Sequence, residues 1–531
     1  MLMEKLVADV RGQLARHTGV PEEQIFFDSG RFGDFSSMLP IRLAKAKGAD
    51  PQQMAVGLAE KIKVSGVEAR GEQGFLNFYL TDKALVHNLE HLEDFGQKGT
   101  MVIDYSSPNI AKPFSVGHLR STIIGESLRR IFTLLGWKVH GINFIGDWGT
   151  QFGKLITAYQ IWGKGEVNGI KDMFDLYVKF HVAAETEPKL EELAREWFRK
   201  LEEGDEEAVS IWDKFREKSL EEFQKFYHKL DISHLEDGSE SKFVKKAVEL
   251  VDDLWQREVA EEDQGAIVIK TSTDVPLLLR KQDGTTIYAA RDLASAIWRT
   301  QQFRPDLLLY VVGNDQKLHF KLLFEGLKKC GINTPAEHIN FGMVSLPEGK
   351  MSTRKGRVVF LEDVLEEAWH RVGEVMGNRE GVSEEDRWKL AIGAVKFADL
   401  KTHRTRDVIF TWDMVRMEGE TGPYVQYATV RAKRIAEKFG KGKVNEKEWG
   451  DEERKLARQL VNFRMNLLDA AAQRRPDLIA KWLLVTTKTF NDYYERCRME
   501  GSEHRVWLAN RVAEALSRGL NLMGIDVPAR M

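Results

Sequence analysis

Apolar residues in this chain recur with two periods, and each period predicts a different kind of element. Near the start of the chain they return every three to four positions, as in an amphipathic helix, at Leu2, Leu6, Val10 and Leu14. Residues 71–80 alternate instead with a period of two and predict a strand that follows a glycine turn. Together the two patterns predict a small α/β domain over residues 1–95.

Residues 101–130 combine both periods within one stretch. The apolar run at 101–105 predicts a buried strand and Gly117 permits a tight turn, after which apolar residues return at helical spacing at Leu119, Ile123, Ile124, Leu128 and Ile131. A strand, a turn and a helix form the first half of a nucleotide-binding βα unit, whose turn presents N–H groups to a phosphate. Lys112 and His118 lie at this turn and can add donors for a phosphate. An isolated histidine at such a turn can equally well cap the helix or pack against it.

Two further apolar runs, at residues 137–145 and 307–312, predict buried strands that each end in a polar turn containing glycine. Such strands and turns are typical of a doubly wound parallel sheet that binds a nucleotide. Residues 174–251, between the two runs, are charged and carry apolar residues at helical spacing, so they predict a helical hairpin inserted between the halves of the sheet. In the turn after the first run, Asp147 and Gln151 are as suited to contacting a ligand as to stabilising the turn.

The last part of the chain is predicted to be helical. One apolar stripe there consists of Leu456, Leu460, Phe463 and Leu467. Upstream of it, the aromatic pair Tyr424 and Tyr427 is followed by a run of basic residues that starts at Arg431. Basic residues beside aromatic ones suit single-stranded RNA, because phosphates need cations and unstacked bases need flat rings. A solvated helix with tyrosines in the core explains the same pattern.

Composition narrows the class of protein. The chain has 531 residues, of which 43% are hydrophobic and 30% charged, and its formal net charge of -3 argues against a protein that coats nucleic acid indiscriminately. No apolar run approaches the ~20 residues that a membrane-spanning helix needs, and residues 1–14 lack the apolar core of a signal peptide. Cys330 and Cys497 are too few and too far apart for a disulfide framework or a zinc site. We therefore expect reduced thiols, a cytoplasmic location, no membrane partner and no protein-bound metal.

Several sequence strings resemble one family. SSPNIAKPFSVGHLRST (residues 106–122) is similar to the HIGH region of class I aminoacyl-tRNA synthetases, in the form that arginyl-tRNA synthetases carry. GDWGTQFG (146–153) is similar to a second signature of that family, and KMSTRKG (350–356) resembles the KMSKS loop. The final GLNLMGIDVPARM (519–531) resembles the end of the helical anticodon-binding domain that several class I synthetases share. The order of the strings is that of the family.

The resemblance implies a multidomain α/β fold whose catalytic domain has the Rossmann-type parallel sheet of class I synthetases. It places this domain at residues 96–375, with a helical insertion at about 160–260, and an all-α anticodon-binding domain at 376–531. Residues 1–95 resemble the N-terminal additional α/β domain that contacts the elbow of tRNA in this family. From the residues alone, a structural cap explains this domain equally well.

The implied activity is that of an arginine–tRNA ligase, which activates L-arginine with ATP and transfers it to the 3′-terminal adenosine of tRNA(Arg). Mg²⁺ would arrive with ATP, activation would need bound tRNA, and the protein would act as a monomer. By position, the resemblance assigns these roles: catalytic, Lys112, His118, Lys350 and Lys355; ATP-binding, Pro108, Ser115, Gly117, His118, Gly313, His319, Met351 and Ser352; arginine-binding, Asp104, Asn109, Tyr288, Asp292 and Gln316; tRNA-binding, Tyr424, Tyr427, Arg431, Lys433 and Arg434.

The arginine-binding set agrees with the chemistry of the substrate. A guanidinium carries five donors in a rigid fork, so a selective pocket should supply carboxylates and amide oxygens. Tyr288 and Asp292 are one helical turn apart and share a face. Taken singly, each of these residues fits a cap, a surface acid or a satisfied core group.

Three positions depart from the family pattern. Ser115 stands where the first His of HIGH is usual, Thr353 where the second Lys of KMSKS is usual, and Asp104 where Glu is common. Ser115 is the one feature that supports an alternative function, a weakened paralogue that binds tRNA without efficient catalysis. A synthetase for another amino acid is opposed by the acidic pocket set. A generic nucleotidylyltransferase would share the first motif but not the helical C-terminal region.

Overall fold

The computed structural model describes residues 2–29, 33–93, 95–163, 167–345, 359–377, 382–409, 411–412, 416, 419–445 and 448–531. They form two compact units. One unit comprises Met1–Gly96, Val372–Lys401 and Val415–Met531, and the other comprises Gln97–Arg371 and Thr402–Met414. The first and last parts of the chain therefore belong to the same unit.

The N-terminal part is a four-stranded antiparallel sheet with helices. Its elements are α1 (Met3–Thr18), β1 (Asp28–Ser29), β2 (Phe35–Ser37), α2 (Leu39–Lys47), α3 (Pro51–Ala59), β3 (Val67–Glu72), β4 (Phe75–Leu80) and α4 (Asp82–Glu90). The strand order is β1-β2-β4-β3. The predicted strand at 71–80 is present as β4, whereas residues 71 and 72 belong to β3, because Gln73 and Gly74 form a tight turn with positive φ between the two strands.

The central unit contains the parallel sheet. Its elements are β5 (Thr100–Asp104), α5 (Val116–Leu134), β6 (Lys138–Asn143), α6 (Thr150–Trp162), α7 (Ile170–Ala184), α8 (Lys189–Glu203), α9 (Glu206–Lys229), β7 (Leu235–Asp237), α10 (Val244–Gln256), β8 (Glu261–Asp263), β9 (Ala266–Ile269), β10 (Leu277–Arg280), α11 (Tyr288–Phe303), β11 (Leu307–Tyr310), α12 (Lys317–Lys329), β12 (Ala336–His338), β13 (Val344–Ser345) and α13 (Leu361–Met376). Short 3₁₀ turns occur at Glu240–Phe243 and Asn314–Gln316.

Five strands of this unit pair in parallel in the order β12-β11-β5-β6-β7. The first strand of the sheet, β5, thus has β6 on one side and β11 on the other, so the strand order reverses at β5. Open parallel sheets bind ligands at the carboxyl ends of the strands at such a reversal. The strand, turn and helix predicted for residues 101–130 are present as β5, a loop and α5.

The predicted helical insertion is present but is more complex than a hairpin. Helices α6, α7, α8 and α9 lie between β6 and β7, and α8 and α9 form the expected turn at Gly204, which has φ 80°. The prediction missed β7, which contributes the fifth strand of the sheet. Its residues, Leu235–Asp237, include two acids and show no strand pattern. They were missed because their strand conformation arises from pairing with β6 and not from a local pattern.

The C-terminal part is helical, as predicted. It contains α14 (Glu384–Leu400), α15 (Gly422–Phe439), α16 (Asp451–Gln473), α17 (Asp477–Arg496) and α18 (Glu503–Leu522). The short strand β14 (Val408–Ile409) belongs to the central unit and pairs there with β13. In the first unit, arginines of α16 meet acids of the N-terminal part: Arg454 with Asp82, Arg458 with Asp34, and Arg464 with Glu4. Within the described residues, we find no helix that is both long and apolar enough to span a membrane.

Candidate active site

A cavity of about 230 Å³ opens at the carboxyl ends of β5, β6 and β11. It lies at the reversal of strand order, where the fold favours a ligand site. All five residues predicted to bind arginine line this cavity, and one residue from the predicted ATP set joins them: Asp104, Asn109, Tyr288, Asp292, Gln316 and His319. The structure therefore brings together side chains that are up to 215 positions apart in the sequence.

The loop after β5 has an unusual backbone. Three of its non-glycine residues have left-handed φ values of 73°, 46° and 60°, namely Ser106, Ser107 and Ala111. Their N–H groups donate, at 3.1, 3.0 and 2.9 Å, to Ser121 Oγ, Asn143 Oδ1 and Ser219 Oγ, respectively. Strained residues of this kind cluster at functional sites, where the surrounding structure holds them in place. Helix α9 of the insertion supplies one of these partners, so it supports the first signature string directly.

Asp104 ends β5 and forms a buried ion pair with Arg299 of α11. Asp104 Oδ2 lies 2.7 Å from Arg299 Nη1, and the two side chains are 7% and 2% exposed. Ser107 Oγ donates to the other carboxylate oxygen at 2.8 Å. Burial raises the pKa of Asp104, whereas the Arg299 guanidinium opposes this rise.

Tyr288 and Asp292 lie on the cavity face of α11 and meet His319 at the start of α12. The distance from His319 Nε2 to Asp292 Oδ2 is 2.6 Å, and the Tyr288 and His319 rings are 4.9 Å apart. Two residues predicted to bind arginine are thus in direct contact with His319, which is predicted to bind ATP. Burial raises the pKa of Tyr288, and the nearby Asp292 carboxylate raises it further.

Glu240 adds a third carboxylate to the cavity wall, which the sequence did not predict. Its Oε1 accepts from Arg291 Nε at 2.6 Å. Burial raises the pKa of Glu240 to about 7, against the opposing effect of Arg291. Glu240 and Arg291 come from the 3₁₀ turn after β7 and from α11, so only the fold brings them together.

Asn109 is held against the turn after β6. It pairs with Gly146 in a parallel bridge, and Gly146 N–H donates to Pro108 O at 3.0 Å. A Cβ atom on Gly146 would lie 2.3 Å from Asn109 Oδ1, so a side chain at that position would displace the Asn109 amide. The first two signature strings therefore meet here.

Ser115 and His118 form the N-terminal cap of α5. Ser115 N–H donates to His118 Nδ1 at 3.2 Å, and Ser115 Oγ also lies 3.2 Å from this nitrogen. Removal of the imidazole from water lowers the pKa of His118 to about 4, and the nearby Lys112 ammonium contributes to this shift. His118 is therefore neutral at pH 7 with its proton on Nε2, since Nδ1 accepts the backbone hydrogen bond.

Asp147 in the second signature string has a structural role. Its side chain is fully buried and accepts from Arg216 Nε at 2.9 Å and from Ser241 N and Oγ at 2.8 Å. Gln151 donates to Trp148 O at 3.3 Å, within the same turn. Of the two roles that the sequence left open for these residues, the contacts favour stabilisation of the turn.

Lys350, Met351, Ser352, Thr353 and Lys355 lie outside the described residues. The chain that follows them returns to the start of α5: Phe360 bridges to Ser115, Val116 N–H donates to Val359 O at 3.3 Å, and Leu361 N–H donates to Phe114 O at 2.8 Å. The segment after the third string is thus paired with the first string.

Two further residues of the cavity were missed although the sequence held a signal for them. Ser295 and Arg299 continue the face of Tyr288 and Asp292 along α11, at spacings of four, three and four residues. Residues at these spacings lie on one side of a helix. Extension of the predicted face by two turns places both residues on it.

A second cavity, of about 600 Å³, lies among the C-terminal helices. Tyr427, Arg431 and Arg434 of the predicted tRNA-binding set line it. The Arg431 guanidinium lies 4.8 Å from the ring of Tyr427 and 5.2 Å from the ring of Tyr494. Asn491 accepts from Arg431 at 3.0 Å and donates to Tyr424 at 3.1 Å. Lys433 belongs to another face of α15, and burial lowers its pKa.

Among the described residues, no group of three or more His, Cys, Asp or Glu side chains is arranged to hold a metal ion. Carboxylates of the cavity are instead matched with an arginine or a histidine, as described above.

Three family models match successive parts of the chain. The family model for "tRNA synthetases class I (R), catalytic domain" matches residues 81–412, that for "DALR anticodon binding domain" matches 425–531, and that for "Arginyl tRNA synthetase N terminal domain" matches 4–80. The arginine–tRNA ligase of Exiguobacterium sibiricum is 39% identical over 522 residues, with 92% of each chain covered. Arginine–tRNA ligase 1 of Bacillus cereus is 40% identical over 532 residues, with 94% of each covered.

Solved structures give the same result for the fold. The arginyl-tRNA synthetase of Thermus thermophilus superposes with a TM-score of 0.86 at 25% identity, with 100% of both chains covered. That of Plasmodium falciparum gives a TM-score of 0.82 at 25% identity, with 99% of both covered. The predicted fold class is thus confirmed, including the parallel catalytic sheet and the helical C-terminal domain. The chain belongs to the arginyl-tRNA synthetases, within the class I aminoacyl-tRNA synthetase family.

Proposed function

We propose that this chain is an arginine–tRNA ligase that forms arginyl-adenylate from L-arginine and ATP and transfers arginine to the 3′-terminal adenosine of tRNA(Arg). The observation that carries the proposal is the cavity at the carboxyl ends of β5, β6 and β11. Three carboxylates line it, those of Asp104, Asp292 and Glu240, and the amide side chains of Asn109 and Gln316 face the same space. These carboxylate and amide oxygens are complementary to the donors of a guanidinium.

In this proposal, Asp104, Asn109, Tyr288, Asp292 and Gln316 bind arginine. An uncharged analogue would leave the remaining acceptor positions of these carboxylates without the donors of a guanidinium, and a pocket built around such groups rejects analogues strongly. Lysine carries the charge but presents only a compact ammonium in place of the planar fork. The site should therefore prefer arginine over both.

Activation needs orientation and charge stabilisation rather than a covalent nucleophile. An oxygen of the arginine carboxylate attacks the α-phosphorus of ATP, and the bond to pyrophosphate breaks as the new phosphorus–oxygen bond forms. His118 is neutral and can donate from Nε2 to a phosphate oxygen, while Lys112 adds a positive charge beside it. At the start of α5, the N–H groups of Ser115 and Val116 donate to His118 Nδ1 and to Val359 O, so we assign the phosphate contacts here to the Ser115 hydroxyl and the Gly117 N–H.

We assign the rest of the ATP site to Pro108, Gly313 and His319, together with Met351 and Ser352 of the third signature string. Lys350 and Lys355 would neutralise the leaving pyrophosphate, and Mg²⁺ would enter and leave bound to the nucleotide. The pairing of residues 359–361 with the start of α5 supports this assignment, because it brings the chain after that string beside the predicted phosphate site.

We further propose that the cavity among the C-terminal helices binds tRNA. The stacked arrangement of Arg431 between Tyr427 and Tyr494 offers both a cation and flat rings to an unstacked base. Tyr424 and Arg434 flank this arrangement, and Lys433 would contact the backbone from the neighbouring face of α15. The matched anticodon-binding domain spans these residues except Tyr424.

We also propose a role for each of the three domains. Residues 1–95 would contact the tRNA elbow, 96–375 would carry out activation and transfer, and 376–531 would read the anticodon. We propose a monomer in the cytoplasm, where the two thiols, Cys330 and Cys497, would stay reduced; neither forms a disulfide.

ATP–pyrophosphate exchange tests the proposed function. The purified chain is assayed with L-arginine, with and without tRNA(Arg), and with canavanine and lysine as alternative substrates. We expect exchange that depends on arginine and on that tRNA. Absence of exchange under every condition, with tRNA still bound, would instead support a weakened paralogue and would draw attention to Ser115.

A further inference from the structure

The proposed chemistry leaves the presence of Arg299 in the cavity unexplained. A pocket that binds a cationic side chain gains nothing from a cation of its own, yet the Arg299 guanidinium is in its wall and is 2% exposed. Removal of a charge from water is unfavourable unless a partner offsets the lost hydration. Such a residue therefore calls for a specific role.

The contacts of Arg299 define where it acts. Its Nη1 lies 2.7 Å from Asp104 Oδ2, while Ser107 Oγ holds the other oxygen of that carboxylate at 2.8 Å. The guanidinium carbon is 5.4 Å from the Phe144 ring and 5.2 Å from the Tyr310 ring, so two aromatic side chains confine the group. Arg299 Nε has no hydrogen-bond partner within the described part of the chain. Asp104 is thus fixed at both oxygens.

We propose that Arg299 is a positioning residue for arginine recognition, which orients the Asp104 carboxylate and keeps it ionised so that it can bind the substrate guanidinium. This inference rests on the proposed function and specifies how its binding site maintains its charge. A carboxylate accepts at up to four lone-pair positions, so Asp104 retains positions for the substrate after Arg299 and Ser107 have bound.

The charges around Asp104 make Arg299 indispensable in this role. Asp104 is faced by Arg299 and Asp292 from α11, by Ser107 from the loop after β5, and by Tyr310 from β11. Burial and the Asp292 carboxylate both favour the protonated form of Asp104, and Arg299 is the cation that opposes them. His319 pairs with Asp292 and lies one step further away.

Loss of the guanidinium should therefore make arginine binding depend on pH. Without the guanidinium, burial and the Asp292 carboxylate act on Asp104 with no opposing cation, so the pKa of Asp104 rises further. Protonated Asp104 cannot attract a cation, so affinity at pH 7 would fall about tenfold below its value at pH 9. With Arg299 in place, the guanidinium opposes this rise in the pKa of Asp104, so arginine binding should depend on pH less than in its absence.

The experiment is calorimetric titration of the full chain with L-arginine at several pH values between 6.5 and 9. Each dissociation constant is divided by that of the unmodified protein at the same pH, which cancels the titration of the substrate amine and of other protein groups. Arg299→Gln keeps hydrogen-bonding capacity but removes the charge, and Arg299→Lys keeps the charge. The double variant Arg299→Gln with Asp104→Asn has no carboxyl to titrate at that position.

A matched control is Arg120→Gln. Arg120 is also fully buried, and its Nη1 donates at 2.8 Å to Gly342 O, so it is a buried arginine that does not line the cavity. We expect the ratio for Arg299→Gln to fall about tenfold between pH 7 and pH 9. The ratios for Arg299→Lys, for the double variant and for Arg120→Gln should stay constant with pH.

A pH-independent ratio for Arg299→Gln would overturn the proposal, as would equal pH dependence in the double variant. Partial unfolding lowers the stoichiometry of the titration rather than the affinity, so the two effects separate. Arg299→Met, which is similar in length and uncharged, carries the same expectation and serves if the Gln variant does not fold. Failure of the unmodified protein to bind arginine would instead contradict the proposed function.

Discussion

A buried hydroxyl of the helical insertion supports the loop after β5, and its removal tests whether the insertion positions the active site. Tyr227 in α9 is 4% exposed. Its hydroxyl accepts from Asn143 Nδ2 at 2.9 Å and lies 2.8 Å from Ser106 Oγ. Ser106 has φ 73° and precedes Ser107, which donates to Asp104. Tyr227→Phe keeps the ring and removes only this connection.

The expected magnitude follows from these contacts. Asn143 Nδ2 loses a buried acceptor, which costs about 1–3 kcal/mol, and Ser106 loses a group that helps to hold its strained backbone. We expect the free energy of unfolding to fall by about 2 kcal/mol. A displaced Ser107 would hold Asp104 less firmly, and a loss of about 1 kcal/mol in arginine binding corresponds to a KM about fivefold higher.

Urea denaturation and the arginine dependence of ATP–pyrophosphate exchange measure the two effects. Tyr105→Phe is the matched control: Tyr105 is fully buried, and its hydroxyl donates at 2.7 Å to Glu126 Oε2 in α5. The control should lose stability without a change in KM. An unchanged KM in Tyr227→Phe would refute the reasoning, because the insertion would then support the fold without positioning the site. Equal rises in KM for both variants would refute it as well.

Three further predictions address the remaining parts of the enzyme. Lys350→Ala should depress adenylate formation far more than tRNA affinity, because its charge is assigned to the leaving pyrophosphate; equal losses in exchange rate and in tRNA binding would undo that assignment. The folded state keeps His118 neutral, with a pKa of about 4, whereas in an unfolded chain it would protonate near 6.5, so its contribution to stability is complete above pH 6.5 and is lost as the pH falls toward 4. Between pH 7 and pH 4, the free energy of unfolding should therefore fall less in His118→Gln than in the unmodified protein, by up to about 3 kcal/mol. Urea denaturation at each pH measures this difference, and an equal fall in both proteins would contradict the prediction. Arg431→Gln should weaken tRNA(Arg) binding and reduce the salt dependence of that binding by about one unit of slope, with little change in exchange at saturating tRNA; an unchanged salt slope would place the tRNA contact elsewhere.

The sequence predicted most clearly where local chemistry decides structure. Residues 101–130 carry an apolar run, breakers and then helical spacing, and they form β5, a loop and α5 as expected. Gly204 ends α8 with φ 80° because the sequence places glycine where the helix must stop. The signature strings also predicted the family, since several such strings in a fixed order are improbable without shared ancestry.

Other features could not be predicted, because partners distant in the sequence decide them. Strand β7 has no strand pattern of its own and exists through pairing with β6. Glu240 lines the cavity because the chain returns to the sheet after four inserted helices, a path length that no local pattern encodes. The missed Arg299 had a helical signal, but that signal does not tell a core-facing side chain from a cavity-facing one.

The sequence by itself determined the element types around the motifs, the family, and the residues that could recognise a guanidinium and a phosphate. Only the tertiary structure decided the charge state of that recognition site. Whether a carboxylate such as Asp104 is ionised depends on its burial and on the cation beside it, and Arg299 lies 195 positions away along the chain. Burial and long-range ion pairs arise when strands and helices pack, so they cannot be read from residue order alone.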